Sequence, residues 1–170
     1  MGAKVRKQVS VMIVFASLFS SICAIAAEKS WESLNNEVIE MYQKKYYTKA
    51  IPVAQKALDV AESTYGSDSS QTVLALNNLA MLYKKTKKTS AAEKLYLREL
   101  AISEKLVGPD HPDLCVPLNN LAMFYDAEKH YKKADEYSMR AIKILEAAYG
   151  PTHPQVQEAK QKYSQMKSQR

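Results

Sequence analysis

The stretch LNNLAM occupies residues 76–81 and returns unchanged at residues 118–123, 42 positions later. The same offset relates Tyr83 to Tyr125. Matches this long at one offset indicate a sequence repeat of 42 residues. Repeats of this size are typical of solenoid proteins, in which each unit is a small motif that packs against its neighbours.

Glycine marks the boundaries of the repeat. Gly66, Gly108 and Gly150 are spaced 42 residues apart, and each follows the end of a helical apolar pattern. We expect them to adopt the left-handed conformation that ends a helix. Pro109 and Pro151 follow directly and prevent the helix from continuing.

Within each unit the apolar spacing predicts two helices. In the second unit Leu76 and Leu79 begin one helical stripe, and residues 92–102 form another. The polar residues 86–90 separate the two stripes. Asp110 is expected to cap the helix that follows it. Each repeat is therefore predicted to be a pair of antiparallel helices, neither of which can bury its apolar face alone.

The whole pattern predicts an all-α fold, an α-solenoid of three helix-turn-helix repeats with a C-terminal capping helix. The repeats span about residues 31–66, 69–108 and 111–150, and the capping helix about residues 153–168. The first repeat is more diverged, since Glu37 stands where the others have leucine. The last helix is more polar, as a terminal cap with one face in water requires.

Three motifs resemble the tetratricopeptide repeat family, and in particular the long repeats of the kinesin light chain subtype. They are GPDHPD at residues 108–113, LNNLA at residues 118–122 and AEKLYLR at residues 92–98. The resemblance extends over about residues 31–163. It implies a binding module for a protein or peptide, which would lie in a concave groove lined by the first helix of each repeat.

The chain departs from the family pattern at three kinds of position. Lysines stand at the turn position where the family often has glycine: Lys45, Lys87 and Lys129. A lysine forced into the left-handed conformation there would cost about 1–2 kcal/mol. Glu99 replaces a small alanine and predicts disturbed packing of the second repeat, and Pro117 is expected to disturb the start of its helix.

One face of the predicted first helices is a candidate ligand-binding surface, because it points away from the core stripe. Its members are Asn36, Ile39, Asn78, Met81, Lys85, Asn120 and Met123. An amide offers both a donor and an acceptor to a peptide backbone, and flexible methionines accept varied side chains. In the alternative interpretation the asparagines only bridge repeats and the methionines pack between helices.

Lysines cluster in the turns inside the repeats, and stacking would align them along one edge of the solenoid. The candidates for this basic edge are Lys45, Lys87, Lys88, Lys129 and Lys133. The functional hypothesis is an electrostatic strip for an acidic protein segment or an anionic lipid surface. The alternative is a solvated edge that keeps the protein soluble.

The N-terminal residues 1–27 have the pattern of a secretory signal peptide. Lys4, Arg6 and Lys7 precede an uncharged, mostly apolar run at residues 9–27, and small residues near Ala26 offer a cleavage site. We therefore expect a periplasmic or secreted protein. The alternative is an uncleaved membrane anchor formed by residues 9–27, since the run is long enough to span a bilayer.

Composition argues against several other functions. Four scattered glycines cannot form a phosphate-binding loop, and the few cysteines and histidines lie too far apart for a metal cluster. The net charge of +6 would fall to +3 on removal of residues 1–27, which is too mild to indicate nucleic acid. We expect no cofactor, no metal and no catalytic residue. The expected partner is another protein or peptide; the alternative is a structural protein that associates with itself.

Overall fold

The computed structural model describes residues 29–170, and within that range it contains seven α-helices and no strand. The helices are α1 (Trp31–Gln43), α2 (Tyr47–Tyr65), α3 (Ser70–Lys85), α4 (Thr89–Val107), α5 (Cys115–Ala127), α6 (Tyr131–Tyr149) and α7 (Pro154–Ser168). They pack as three hairpins, α1 with α2, α3 with α4 and α5 with α6, and α7 packs on α6. The predicted all-α solenoid is confirmed.

The hydrophobic core runs through the hairpins and continues from each one into the next. One buried cluster joins Ala80 and Tyr96 of the second hairpin to Leu118 of the third. Another joins Val38 of the first hairpin to Leu76 of the second. Each hairpin therefore depends on its neighbours to bury its apolar stripe, which is the principle of a stacked repeat.

The turn inside each hairpin has the same backbone hydrogen bonds in all three repeats. In the second repeat the N–H of Lys87 donates to the carbonyl oxygen of Lys84 at 3.2 Å, and the N–H of Lys88 donates to that of Tyr83 at 2.8 Å. This pair of bonds is the Schellman motif, which needs a positive φ just after the helix. The residues that adopt it are Lys45, Lys87 and Lys129, with φ of 61°, 58° and 63°. The left-handed lysines expected from the sequence are confirmed.

Glycine at this turn is expected to stabilise the protein. Lys87→Gly removes the steric cost of a side chain at positive φ and should raise the free energy of unfolding by about 1 kcal/mol. Urea unfolding followed by circular dichroism measures the change. The matched control is Lys85→Gly, at the last residue of α3, which has no positive φ to relieve and should not raise stability. Destabilisation by Lys87→Gly would contradict the strain assigned to this turn.

The glycines between the repeats have a positive φ, but they are not left-handed helical. Gly66, Gly108 and Gly150 combine φ of 92°, 92° and 85° with ψ of 157°, 159° and 156°. The prediction of a left-handed helical ending is therefore wrong in ψ, because the chain leaves the helix in an extended direction toward the next repeat. This region is almost restricted to glycine. A Cβ at these positions would meet nothing within 4 Å, so backbone conformation and not crowding requires glycine.

The expected cap from Asp110 is also wrong. The residue in the capping position is His111, whose Nδ1 accepts a hydrogen bond from the N–H of Asp113 at 3.2 Å. The equivalent His153 accepts one from the N–H of Gln155 at 3.3 Å. Each histidine is itself the residue directly before a helical turn, and its backbone is extended. Asp110 lies one residue earlier, which is too early to reach these donors.

Proline changes the start of the third hairpin, as its sequence predicted. Pro117 lies in the first turn of α5 and has no N–H to donate to the carbonyl oxygen of residue 113. The preceding residues Pro112–Leu114 form a 3₁₀ turn. In the second repeat the equivalent helix begins directly at Ser70, with Ala75 at the position of Pro117.

The signal-peptide or anchor prediction for residues 1–27 lies outside the described residues. Among the helices of residues 29–170, none combines the length and the apolar character needed to cross a bilayer.

Candidate binding groove

Pockets lie where neighbouring hairpins meet. The N-terminal pocket, of about 200 Å³, lies between α1 and α3, and its lining is Val38, Ile39, Tyr42, Gln43, Asn78 and Met81. The C-terminal pocket, of about 540 Å³, lies mainly between α5 and α7 and includes Met123, Tyr163 and Met166. The central pocket, of about 310 Å³, lies between α3, α4 and the start of α5.

The predicted ligand-binding residues divide among these pockets. Ile39, Asn78 and Met81 are brought together in the N-terminal pocket. Met123 belongs to the C-terminal pocket. The remaining candidates, Asn36, Lys85 and Asn120, line none of these three pockets. Lys85 is exposed, and its Nζ lies 5.9 Å from the centroid of the Tyr47 ring.

The asparagines join one repeat to the next. Nδ2 of Asn78 donates to Oδ1 of Asn35 at 2.7 Å, across the junction of the first two repeats. Nδ2 of Asn120 donates to Oδ1 of Asn77 at 3.1 Å, across the next junction. In both bonds the donor is the second asparagine of its pair and the acceptor is the first asparagine of the preceding repeat. These bonds fix the register of the stack. They also use one of the two N–H groups of each donor amide.

Four lysines of the basic edge lie at the turns within the hairpins and Lys133 lies in the first turn of α6, and all five are exposed. Nζ of Lys88 lies 5.4 Å from the centroid of the Tyr83 ring. Nζ of Lys133 lies 4.5 Å from the centroid of the Tyr125 ring and 3.5 Å from the Glu93 carboxylate. Aromatic contacts of this kind hold a lysine in place while its charge still faces water.

The sequence model of a known protein family matches the repeats of this chain. The sequence model of the tetratricopeptide repeat matches residues 33–105 and again residues 90–147. Together the two matches span more than half of the 170 residues. The chain belongs to the tetratricopeptide repeat family. Such repeats are protein–protein interaction modules, and the family typically consists of non-catalytic scaffolds.

Two solved structures share the fold at low identity. The nearly identical repeats assigned to a kinesin light chain of Podosopora anserina give a TM-score of 0.68 at 18% identity, over 79% of this chain and 64% of that one. BtubC (BKLC) from P. vanneervenii gives a TM-score of 0.65 at 19% identity, over 98% of this chain and 73% of that one. This chain thus spans somewhat less than two thirds of the first structure. A search of curated proteins finds no match.

The second tetratricopeptide repeat contains a buried carboxyl that sequence reasoning did not propose as a site. Glu99 of α4 is only 2% exposed and lines the central pocket. Its Oε2 has no hydrogen-bond partner among residues 29–170. Burial raises the pKa of Glu99 to about 8, although a hydrogen bond from Asn120 acts in the opposite direction. The carboxyl is therefore mostly protonated at neutral pH.

The sequence did contain a signal for this group. The equivalent positions in the other tetratricopeptide repeats are Ala57 and Ala141, which are both buried. Glu99 does not shorten its helix, since α4 is 19 residues long, as α2 and α6 are. The larger side chain is instead accommodated beside the central pocket. The replacement of alanine by Glu99 thus marked an unusual residue in the sequence, but it did not predict which residues surround the carboxyl.

Replacement of Glu99 by alanine is expected to stabilise the protein increasingly as pH rises. The carboxyl has a pKa near 4.5 as its ordinary value and about 8 in the folded protein. Between these values the unfolded chain binds fewer protons than the folded one, so the wild type loses stability with rising pH and levels off above the folded pKa. The difference between the two pKa values corresponds to about 5 kcal/mol.

Urea unfolding of the wild type and Glu99→Ala at pH 5, 7 and 9 measures this effect. The free-energy gap between the two proteins should widen from pH 5 to pH 9. The control is Glu136→Ala, at an exposed position of α6, for which the gap should stay constant. A gap for Glu99→Ala that does not change with pH would contradict the raised pKa.

Proposed function

We propose that this chain is an exported interaction module that binds a peptide or protein segment across the first helices α1, α3 and α5. The observation that carries the proposal is an apolar row along these helices, Ile39, Met81 and Met123. Ile39 and Met123 are 42% and 60% exposed, and they line pockets at opposite ends of the row. Exposed apolar surface beside such pockets is typical of sites that bind another protein.

Amide groups beside the apolar row supply the polar part of recognition. Asn78 uses one N–H to bond Asn35, and it retains a second N–H and a carbonyl lone pair that a peptide backbone could use. Asn120 contributes less, since its amide already bonds Asn77 and the carboxyl of Glu99. A segment that lies in the N-terminal pocket would therefore bind through Asn78, Ile39 and Met81 together.

The basic edge favours an acidic segment as the partner. Lys45, Lys87 and Lys129 project from equivalent turns of successive repeats and are exposed. A row of like charges at a fixed repeat distance attracts an extended acidic chain and speeds its association. The edge would thus tune partner choice, while the apolar row supplies affinity.

Removal of the apolar row is expected to abolish partner capture. The double variant Ile39→Ala and Met123→Ala should lower capture at least roughly tenfold, because each truncation removes apolar area that the partner would bury. Affinity capture from the cell-envelope fraction, with mass spectrometry of the captured protein, measures the effect. Stability should change little, since both side chains are exposed in the free protein.

Met139 provides the matched control for this experiment. It is an equally exposed methionine of the third repeat, but it lies on the second helix α6. Met139→Ala should leave capture unchanged. Equal loss of capture in both variants, or undiminished capture by the double variant, would exclude the first helices as the binding surface.

Binding that depends on the basic edge is expected to weaken with salt. Captured protein should decrease steadily as sodium chloride is raised from about 50 to about 500 mM, because the Debye length shortens to a few ångströms. The triple variant Lys45→Glu, Lys87→Glu and Lys129→Glu should bind weakly at all salt concentrations. Lys94→Glu with Lys143→Glu, two exposed lysines of second helices, should retain the wild-type response. Capture that is insensitive to salt would discard the edge.

The proposal that the protein is exported rests on its sequence alone. The basic start, the apolar run at residues 9–27 and the small residues at its end support a cleaved signal peptide and a periplasmic or secreted protein. Mass spectrometry of the protein purified from its native cells would show a chain that begins near residue 27 or 28. An intact N-terminus in the membrane fraction would favour the anchored alternative.

A further inference from the structure

The central pocket combines apolar walls with a buried carboxyl. Its lining includes Leu74 of α3 and Val116 of α5, which are 49% and 62% exposed, together with Leu106 and Val107 of α4. Glu99 also lines the pocket, although its side chain is almost completely buried. A ligand would therefore meet mainly apolar side chains together with a carboxyl that is shielded from water.

Only one oxygen of the buried carboxyl has a hydrogen-bond donor. Oε2 of Glu99 has no hydrogen-bond partner among the residues that the structure describes. A buried polar atom without a partner is unfavourable, and a ligand that donates a hydrogen bond to it relieves that cost. The other two repeats have alanine at this position, so this acceptor occurs only in the second repeat.

The two ionisable groups that line the pocket are both acidic. Glu99 comes from α4 and Asp113 from the 3₁₀ turn before α5, whereas the lining residues of α3 are uncharged. His111 lies beside Asp113, with Nδ1 3.5 Å from Oδ2. Tyr96 of α4 also lies near enough for the Glu99 charge to act on its pKa. Charge complementarity therefore favours a cation in this pocket.

The hydrogen-bonding state of Glu99 favours an ammonium over a guanidinium. A guanidinium binds best when both carboxylate oxygens accept in parallel. Here the carboxyl already bonds Asn120, and only Oε2 lacks a partner. A single-point donor on an aliphatic stem suits one free oxygen surrounded by apolar walls.

We propose that the central pocket binds a lysine side chain of a partner segment, with the ammonium on Glu99 and the methylenes against Leu74 and Val116. This inference rests on the proposed function, because it adds a subsite for one lysine to a module whose basic edge favours a segment that is acidic overall. It also predicts proton release, since the protonated carboxyl must ionise before it can pair with the ammonium.

The test is a titration of the full chain with n-butylammonium, which has the charge and stem of a lysine side chain. Methyl NMR signals of Leu74, Leu106 and Val116 report on the pocket. They should shift saturably, and affinity should be roughly 100-fold higher at pH 9 than at pH 6, because about one carboxyl in 100 is ionised two pH units below a pKa of about 8. Neutral n-butanol should not bind comparably, and n-butylguanidinium should bind more weakly than the ammonium.

Two variants separate the carboxylate from the fold. Glu99→Gln keeps the shape and removes the charge, whereas Glu99→Ala restores the residue of the other two repeats and is expected to fold. Both should lose ammonium binding while the circular dichroism spectrum stays unchanged. Absence of wild-type shifts at pH 9, equal binding of n-butanol or n-butylguanidinium, or retained binding by Glu99→Gln would each overturn the proposal. The butylammonium titration does not depend on partner capture through Met123. A negative titration would therefore overturn the lysine subsite alone, and a negative capture experiment would overturn the proposed function.

Discussion

Burial of apolar surface between hairpins is the interaction on which the rest of this structure depends. Leu79 and Ala80 are consecutive residues of α3, yet the first packs into the cluster shared with the first repeat and the second into the cluster shared with the third. The second repeat is therefore held from both sides. A single hairpin would leave at least one of these faces in water, and such a short unit would not be stable alone.

The pockets are a consequence of the same stacking. The space between neighbouring first helices is lined by whatever side chains occur there. In the first junction these are Ile39, Asn78 and Met81. In the last junction α7 closes the stack and contributes Tyr163 and Met166 opposite α5. The C-terminal helix thus caps the core and also forms one wall of the largest of these pockets.

The second repeat gives up stability at one position. Alanine fills this core position in the other two repeats without any polar group. Glu99 places a carboxyl there, and burial raises the pKa of this carboxyl to about 8. Unfavourable groups of this kind tend to occur at functional sites, where a ligand supplies the missing partner. The turns show a smaller example, since three lysines accept a positive φ that glycine would adopt freely.

The sequence alone determined the period, the helix pairs, the terminal cap and the left-handed lysines, because these follow from spacing and backbone sterics within one repeat. It did not predict that Leu82 and Phe124 are fully buried or that His111 caps in place of Asp110, and it left open whether the asparagines bridge repeats, as Asn78 does to Asn35. Only the tertiary structure decided these contacts, together with the unpartnered oxygen of Glu99. The histidine cap depends on the local backbone at residues 111–113. The other contacts depend on how one hairpin is rotated and shifted against the next, and helical periodicity carries no information about that relation.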